Sequence, residues 1–250
     1  MMSSRFLPVS FLTAVLFLIS CGGNEEKTTS TDKMSSDSTA ATTTTAPIET
    51  AKPSTIVTTP QNMFVVTHKV SNFTKWKASY DAHDSMRLAN GLHNYVIGRG
   101  VVDSNTVLVA VKADDINKAK AFSKDPSLKT AMQKGGVMGK PTMSFVNMSW
   151  QDTATINSPL RSRTTFTVKD WDAWQKAFQE GKQERMDNGI VDRAYGHDAD
   201  DNKKVTLVTA LMDSAKAYAY FKSDMLKKRR EAGGVIGEPK RFVYRVVQRY

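Results

Sequence analysis

The chain has 250 residues, 40% hydrophobic and 24% charged, a balance that excludes a wholly disordered or fibrous protein. Its formal net charge is +10 with a pI near 9.6, and its single cysteine excludes an internal disulfide. The averages hide three regimes: an almost uncharged start, a polar repetitive stretch to residue 60, and a remainder of globular composition over 61–250.

The start reads as a targeting segment. Arg5 supplies a short positive end, and Phe6 to Ser20 forms an apolar run of 15 residues. That is short of the roughly 20 needed to span a bilayer and suits a signal-peptide core. The run closes on Leu18-Ile19-Ser20-Cys21, which resembles the lipobox of bacterial lipoproteins. The resemblance implies that residues 1–20 are a signal peptide and that Cys21 is lipidated, palmitate-like chains tying the mature protein to a lipid bilayer. Each buried methylene adds about 0.8 kcal/mol, and more than one chain is needed for stable anchoring. The alternative is an uncleaved anchor that ends in Cys. Gly22 stands where inner-membrane lipoproteins commonly carry a retention aspartate. The expected location is therefore the cell envelope at the outer membrane, on its periplasmic or surface face.

Residues 21–60 read as a disordered tether. Between Asn24 and Pro60, 17 of 37 residues are Ser or Thr, too little apolar surface to offset the entropy of ordering. The basic balance would suggest nucleic acid in a cytosolic protein, but an exported lipoprotein rarely meets it, and no nucleic-acid partner is expected. The densest basic run, Lys227-Lys228-Arg229-Arg230, falls on a predicted helix. It reads as a solvated face, or as an attraction to anionic lipid or polysaccharide or another envelope component.

The remainder repeats itself. GGVMGKP at Gly135–Pro141 returns as GGVIGEP at Gly233–Pro239, 98 residues on. At the same offset Thr67, Val70, Trp76, Arg87, Asn90 and Gly91 meet Thr165, Val168, Trp174, Arg185, Asn188 and Gly189. The offset is expected to slip by one or two residues at the middle turn, where Asp201-Asn202 replaces Asp103-Ser104. Repeats over 61–150 and 159–250 follow, too long a period for a solenoid.

In the first copy, Met63 to Val70 is rich in β-branched and aromatic residues and predicts a strand. Asn72 is a candidate N-cap, and Phe73, Trp76, Tyr80, His83 and Arg87 step by three and four along one helix face. Gly91 fits a left-handed position after that helix. Strands follow over 92–99 and 106–112, then a helical region over 116–134 broken near Asp125-Pro126, then a strand over 142–148. The glycines of GGVMGKP are expected to cap the last helix, with the proline marking where the final strand begins. The order βαββαβ is the ferredoxin-like unit, giving an α+β fold class.

A strand carrying His-x-Val, a Trp-bearing first helix that ends in Arg and Gly, and the closing GGVxGxP together resemble the dimeric α/β-barrel superfamily. Its branches include antibiotic-biosynthesis-monooxygenase-like and stress-responsive barrel proteins. The resemblance implies two four-stranded sheets facing each other across a barrel. With both units in one chain, it implies an intramolecular pseudo-dimer, linked through 152–158 and monomeric in solution. The apolar Val107, Leu108, Val109 and Val111 agree with a strand buried on both faces.

No HExxH, GxSxG or CxxC pattern is present, and GGVMGKP lacks the spacing of a phosphate-binding loop. No cofactor and no metal are expected. His68 and His83 match Phe166 and Gly181 in the second copy, so these titratable positions of the first copy are apolar or absent in the second. In the family the space between first helix and sheet takes small ligands, which implies that His68, His83, Arg87 and Tyr95 converge there. Imidazole can act as acid, base or ligand near neutral pH. The plainer alternative is a core or rim histidine with a satisfied hydrogen bond, a reading that extends to His93 and His197. Arg87 and Arg185 recur before a helix end, either to bond its free carbonyls or to anchor an anionic ligand. Three functions remain open: a tethered module that binds a small hydrophobic or anionic ligand without turnover, a cofactor-independent monooxygenase-like enzyme using the first cavity, or an envelope interaction protein.

Overall fold

The computed structural model describes residues 54–250; the expected signal peptide, Cys21 and most of the expected tether lie outside the described residues. The first repeat contains β2 (Gln61–Val70), α1 (Phe73–Ala82), α2 (Asp84–Ala89), β3 (Leu92–Gly100), β4 (Thr106–Ala113), α3 (Ile116–Phe122), α4 (Pro126–Lys134) and β5 (Val137–Asp152). A short β1 (Ile56–Val57) precedes it and pairs with the end of β5. The second repeat contains β6 (Leu160–Val168), α5 (Trp171–Glu180), α6 (Lys182–Asp187), β7 (Ile190–Asp198), β8 (Lys204–Leu211), α7 (Ser214–Phe221), α8 (Asp224–Ala232) and β9 (Val235–Arg249).

Local chemistry sets these boundaries. Asn72 accepts a hydrogen bond from Lys75 N and opens α1, and Asp170 does the same for α5 through Ala173 N. Pro126 sits in the first turn of α4 behind the N-cap Asp125. Gly91 and Gly189 take left-handed φ of 67° and 69° after α2 and α6.

The offset of 98 holds throughout. The Asp103 and Asp201 carbonyls accept from Thr106 N and Lys204 N in matching turns, so the expected slip does not occur. A turn built on an aspartate side chain bonded two residues on leaves no room for an insertion. The first helix, expected as one piece, breaks at His83, where φ is −100° and ψ 20°. GGVMGKP also differs from expectation. Gly136 caps α4 with φ 77°, but the strand already begins at Val137. Gly139, at φ 68°, lies where β5 bulges against β2 between Thr67 and Lys69.

All strand pairings are antiparallel, in the order β5-β2-β4-β3 and β9-β6-β8-β7. Two seams, β3 with β9 and β5 with β7, join these sheets into a closed eight-stranded barrel. The seams share one register: Gly98 faces Val246 as Gly196 faces Met148, each pair mapping onto the other by 98. Helices cover the outside. Val66, Val70, Trp76, Leu92 and Val109 form the core beneath the first repeat's helices, while Met63, Val65, Leu108, Val146 and Tyr244 fill the lumen.

Closure depends on close backbone approach at the seams. A Cβ on Gly196 would stand 2.1 Å from the Asn147 carbonyl oxygen, and one on Gly98 would stand 2.2 Å from the Tyr244 ring. Gly196→Ala should therefore cost about 1–3 kcal/mol, the usual penalty of overpacking, and lower Tm by several degrees in calorimetry. An unchanged Tm would show that the seam is looser than this contact implies.

Candidate functional site

A cavity of about 670 Å³, counting its open mouth, lies between the first repeat's sheet and its helices. Phe64, Val66, Leu92, Val109 and Val111 form its floor, and Phe122, Leu128 and Met132 close it from α3 and α4. The walls are almost wholly apolar, the usual character of a small-molecule site with few fixed polar groups. His68, Trp76, Tyr80, His83 and Arg87 also line it.

His68 projects from β2 and is 6% exposed. Both ring nitrogens are buried, and neither has a hydrogen-bond partner among the described residues. Its ring packs against Trp76 at 5.5 Å and 53°. Burial lowers its pKa from 6.5 to about 4, so the ring is neutral at physiological pH. A neutral imidazole offers one N–H donor and one acceptor, and here both face no protein group. Unpaired buried polar groups are rare enough to need a reason.

His83 sits at the break between α1 and α2. Its Nδ1 lies 2.7 Å from the Ser79 carbonyl, which only accepts, so Nδ1 carries a proton. In the neutral ring Nε2 is then the lone-pair nitrogen.

Arg87 is spent on structure. Its Nη1 donates to the Tyr80 carbonyl at 2.7 Å, its Nε to Asn94 and its Nη2 to Asp84. Its guanidinium lies 3.6 Å over the Tyr80 ring. Arg185 repeats this, with Nη1 on the Phe178 carbonyl and a two-pronged pair to Asp192 at 2.8 and 2.6 Å. Both arginines thus bond helix carbonyls. The Tyr80 hydroxyl donates to Asn94 Oδ1 at 2.5 Å, and burial raises its pKa well above the usual phenol value.

Tyr95 does not join this group. β3 shifts register between Asn94 and Val96, which sends Tyr95 to the lumen side while Asn94 meets Tyr80 and Arg87. Of the sequence-predicted residues, His68, His83 and Arg87 share one cavity; Tyr95 and Arg185 lie elsewhere. His93 pairs with Asp114 on the surface, and His197 packs against the edge of Trp171 at 4.9 Å.

A second cavity of about 730 Å³ lies beneath the second repeat's helices. The sequence placed a ligand in the first copy only; the hollow persists in the second, with different walls. Phe166 and Gly181 stand where His68 and His83 do, and Arg230 and Arg241 enter. Arg229 and Arg230 of the basic run line this cavity from α8, so that run is only partly a solvated face. The signal was present in the helical period, which sets Lys228 nearly opposite Arg230 on α8. Among the described residues no group of three metal-ligating side chains forms, and no helix is long and apolar enough to cross a membrane.

No protein-family model matches the chain, and no curated protein sequence matches it. Solved structures do. One is a candidate monooxygenase from Fusobacterium nucleatum, 13% identical, with a TM-score of 0.51 over 76% of this chain and 93% of that one. Another is an anthrone oxidase-like protein, also 13% identical, with a TM-score of 0.51 over 77% of this chain and 94% of that one. The shared fold is a barrel closed from two ferredoxin-like units, here written into one chain. At such identity the likeness is one of fold, and function must be argued from the site.

His68 offers a direct check. Repeat two carries Phe166 at the matching place, packed on Trp174 at 5.5 Å and 60°, nearly the His68–Trp76 geometry. His68→Phe should therefore fold. The folded pKa of about 4 lies below the unfolded 6.5, so between those values only the unfolded chain binds this proton. Stability from His68 is whole above pH 6.5 and is lost as pH falls toward 4, by roughly 2–3 kcal/mol at pH 4.5. Melting curves at pH 7 and 4.5 should show a smaller acid loss in His68→Phe than in the parent. Equal losses would mean that His68 protonates freely in the fold.

Proposed function

We propose that this protein is a lipid-tethered envelope protein whose first-repeat cavity binds a small apolar ring compound bearing one hydroxyl or carbonyl group. The observation that carries this is His68: a neutral imidazole with both nitrogens unpaired, aimed into an apolar cavity. A ligand hydroxyl would satisfy a donor or an acceptor there while its ring packs on Trp76 and Tyr80. Net, a restored hydrogen bond contributes on the order of 1 kcal/mol and removes the larger cost of an unsatisfied group. The tether and the Leu-Ile-Ser-Cys ending at Cys21 support membrane attachment through acyl chains.

A second reading is favoured by His83. With Nδ1–H fixed on Ser79, its Nε2 is placed to accept a proton from a bound phenol or quinol, the first step of a cofactor-independent oxidation by dioxygen. The similar structures carry monooxygenase and oxidase-like names, which agree with this reading at fold level only.

Calorimetric titration with 1-naphthol separates the readings. Binding to the parent and about tenfold weaker binding to His68→Phe, with no oxygen uptake, supports reversible binding. Oxygen uptake on a quinol that His83→Ala abolishes, with binding retained, supports the enzyme. Binding unaffected by His68→Phe would remove the cavity reading. Separately, Cys21→Ser should release the protein from membranes in a fractionation assay; retention in the membrane pellet would refute lipid tethering.

A further inference from the structure

The barrel lumen holds a third cavity of about 650 Å³, counting its open mouth, separate from the two beneath the helices. It lies where the repeats meet, so each lining position has a counterpart 98 residues away. Met63, Val65, Tyr95 and Gln151 of the first repeat line it uncharged. Their counterparts in the second repeat are Arg161, Arg163, Arg193 and Arg249. Four neutral positions thus face four arginines, with Asp152 as the one lining carboxylate.

Two of those arginines are held by the protein. Arg193 pairs with Asp152 at 3.1 Å and bonds the Ala154 carbonyl; among the described residues Arg161 bonds the Ser158 and Leu160 carbonyls through Nη1 alone, so its Nε and Nη2 stay open to a ligand. The other two are not. Arg163 Nε is buried with no partner among the described residues, and Arg249 is exposed at the C-terminal end of β9. An arginine does not shed its charge at any physiological pH, so burying its Nε–H with no acceptor carries a desolvation cost. The fold does not require that cost, because Val65 occupies the matching place in repeat one. Desolvation pulls the pKa of Arg163 down and that of Arg161 to about 10, which agrees with a cationic site short of anions. Opposite the guanidiniums the wall is Met63, Val65 and Leu108.

We propose that the lumen is a second ligand site, which binds an amphipathic organic anion with its carboxylate or phosphate head on Arg161, Arg163 and Arg249 and its apolar body against Met63, Val65 and Leu108. Arginine suits such a head because its fixed fork matches two oxygens at once. The low-dielectric wall strengthens that attraction, and the exposed Arg249 draws the anion to the mouth. The site is independent of the first-repeat cavity, since the strands of the barrel separate the two.

The test uses the full chain and three probes with one tail: octanoate, octyl phosphate and octyltrimethylammonium. Calorimetric titration should show one anion bound per chain and no binding of the cation; the tighter of the two anions identifies the head. Arg163→Val, which installs the residue of repeat one, should weaken anion binding about tenfold or more. It should also raise the Tm of the free protein, because the unpaired charge is gone. Arg163→Met keeps more of the side-chain volume and should weaken binding alike should the valine variant misfold. The proposal fails if the cation binds as tightly as the anions, or if neither anion binds at millimolar concentration. It also fails if binding survives both Arg163 variants, or if His68→Phe abolishes it instead.

Discussion

Everything in this molecule depends on the two seams that close the barrel. A single ferredoxin-like unit with the order β5-β2-β4-β3 leaves β5 and β3 as open edges, each a row of unpaired amides and carbonyls. Duplication doubles the edges, and pairing β5 with β7 and β3 with β9 satisfies all four. The sheets are then covered on both faces, by helices outside and by each other within. This explains why β4 carries the buried run Val107 to Val111 with no polar alternation. It also fixes register, because a slip of one residue at either seam would drive a side chain into the space that Gly98 and Gly196 leave open.

A symmetric backbone carrying asymmetric chemistry is informative in itself. Helix ends, turns and seams repeat at one offset, so folding needs at matched positions are nearly equal. Where the side chains still differ in polarity, stability alone does not account for the difference. His68 against Phe166 is such a case: the aromatic pair with the helix tryptophan survives, and only the ring nitrogens are added. Arg163 against Val65 is another, and the added guanidinium has no partner for its Nε. Asn94 against Asp192 is different. There the charge in repeat two pairs with Arg185, whereas in repeat one Asp84 supplies the charge to Arg87.

The repeat, the order of elements and most boundaries were legible because they rest on local rules: period, N-caps, left-handed glycines and proline at a first turn. His68, His83 and Arg87 were legible as one group because all three follow a single strand face and a single helix face. Tyr95 was misplaced because a bulge at Asn94–Val96 breaks the alternation that a strand reading assumes. The lumen arginines were overlooked although β6 writes Arg161-Ser162-Arg163 where β2 writes Met63-Phe64-Val65. Alternation alone puts Arg161 and Arg163 on one face, but only closure of the barrel decides that this face is internal. Closure is a long-range event that no local window contains.

The helix break at position 83 shows how fold and site divide the work. Repeat two breaks in the same place at Gly181, with φ −84° and ψ 9°, so the break does not arise from histidine. It leaves the Tyr80 and Phe178 carbonyls short of a regular helical partner, and Arg87 and Arg185 supply one through Nη1. The arginine is common to both repeats because both need that donor. The histidine is not common: at Gly181 a Cβ would stand 3.1 Å from Arg185 Nη1, so a side chain there would need that guanidinium to shift by a few tenths of an ångström. Repeat one carries a side chain there and bonds the ring to the Ser79 carbonyl four residues back. The break is thus a feature of the fold shared by both repeats, and in repeat one it places a hydrogen-bonded imidazole at the wall of the apolar cavity that the unpaired His68 also lines.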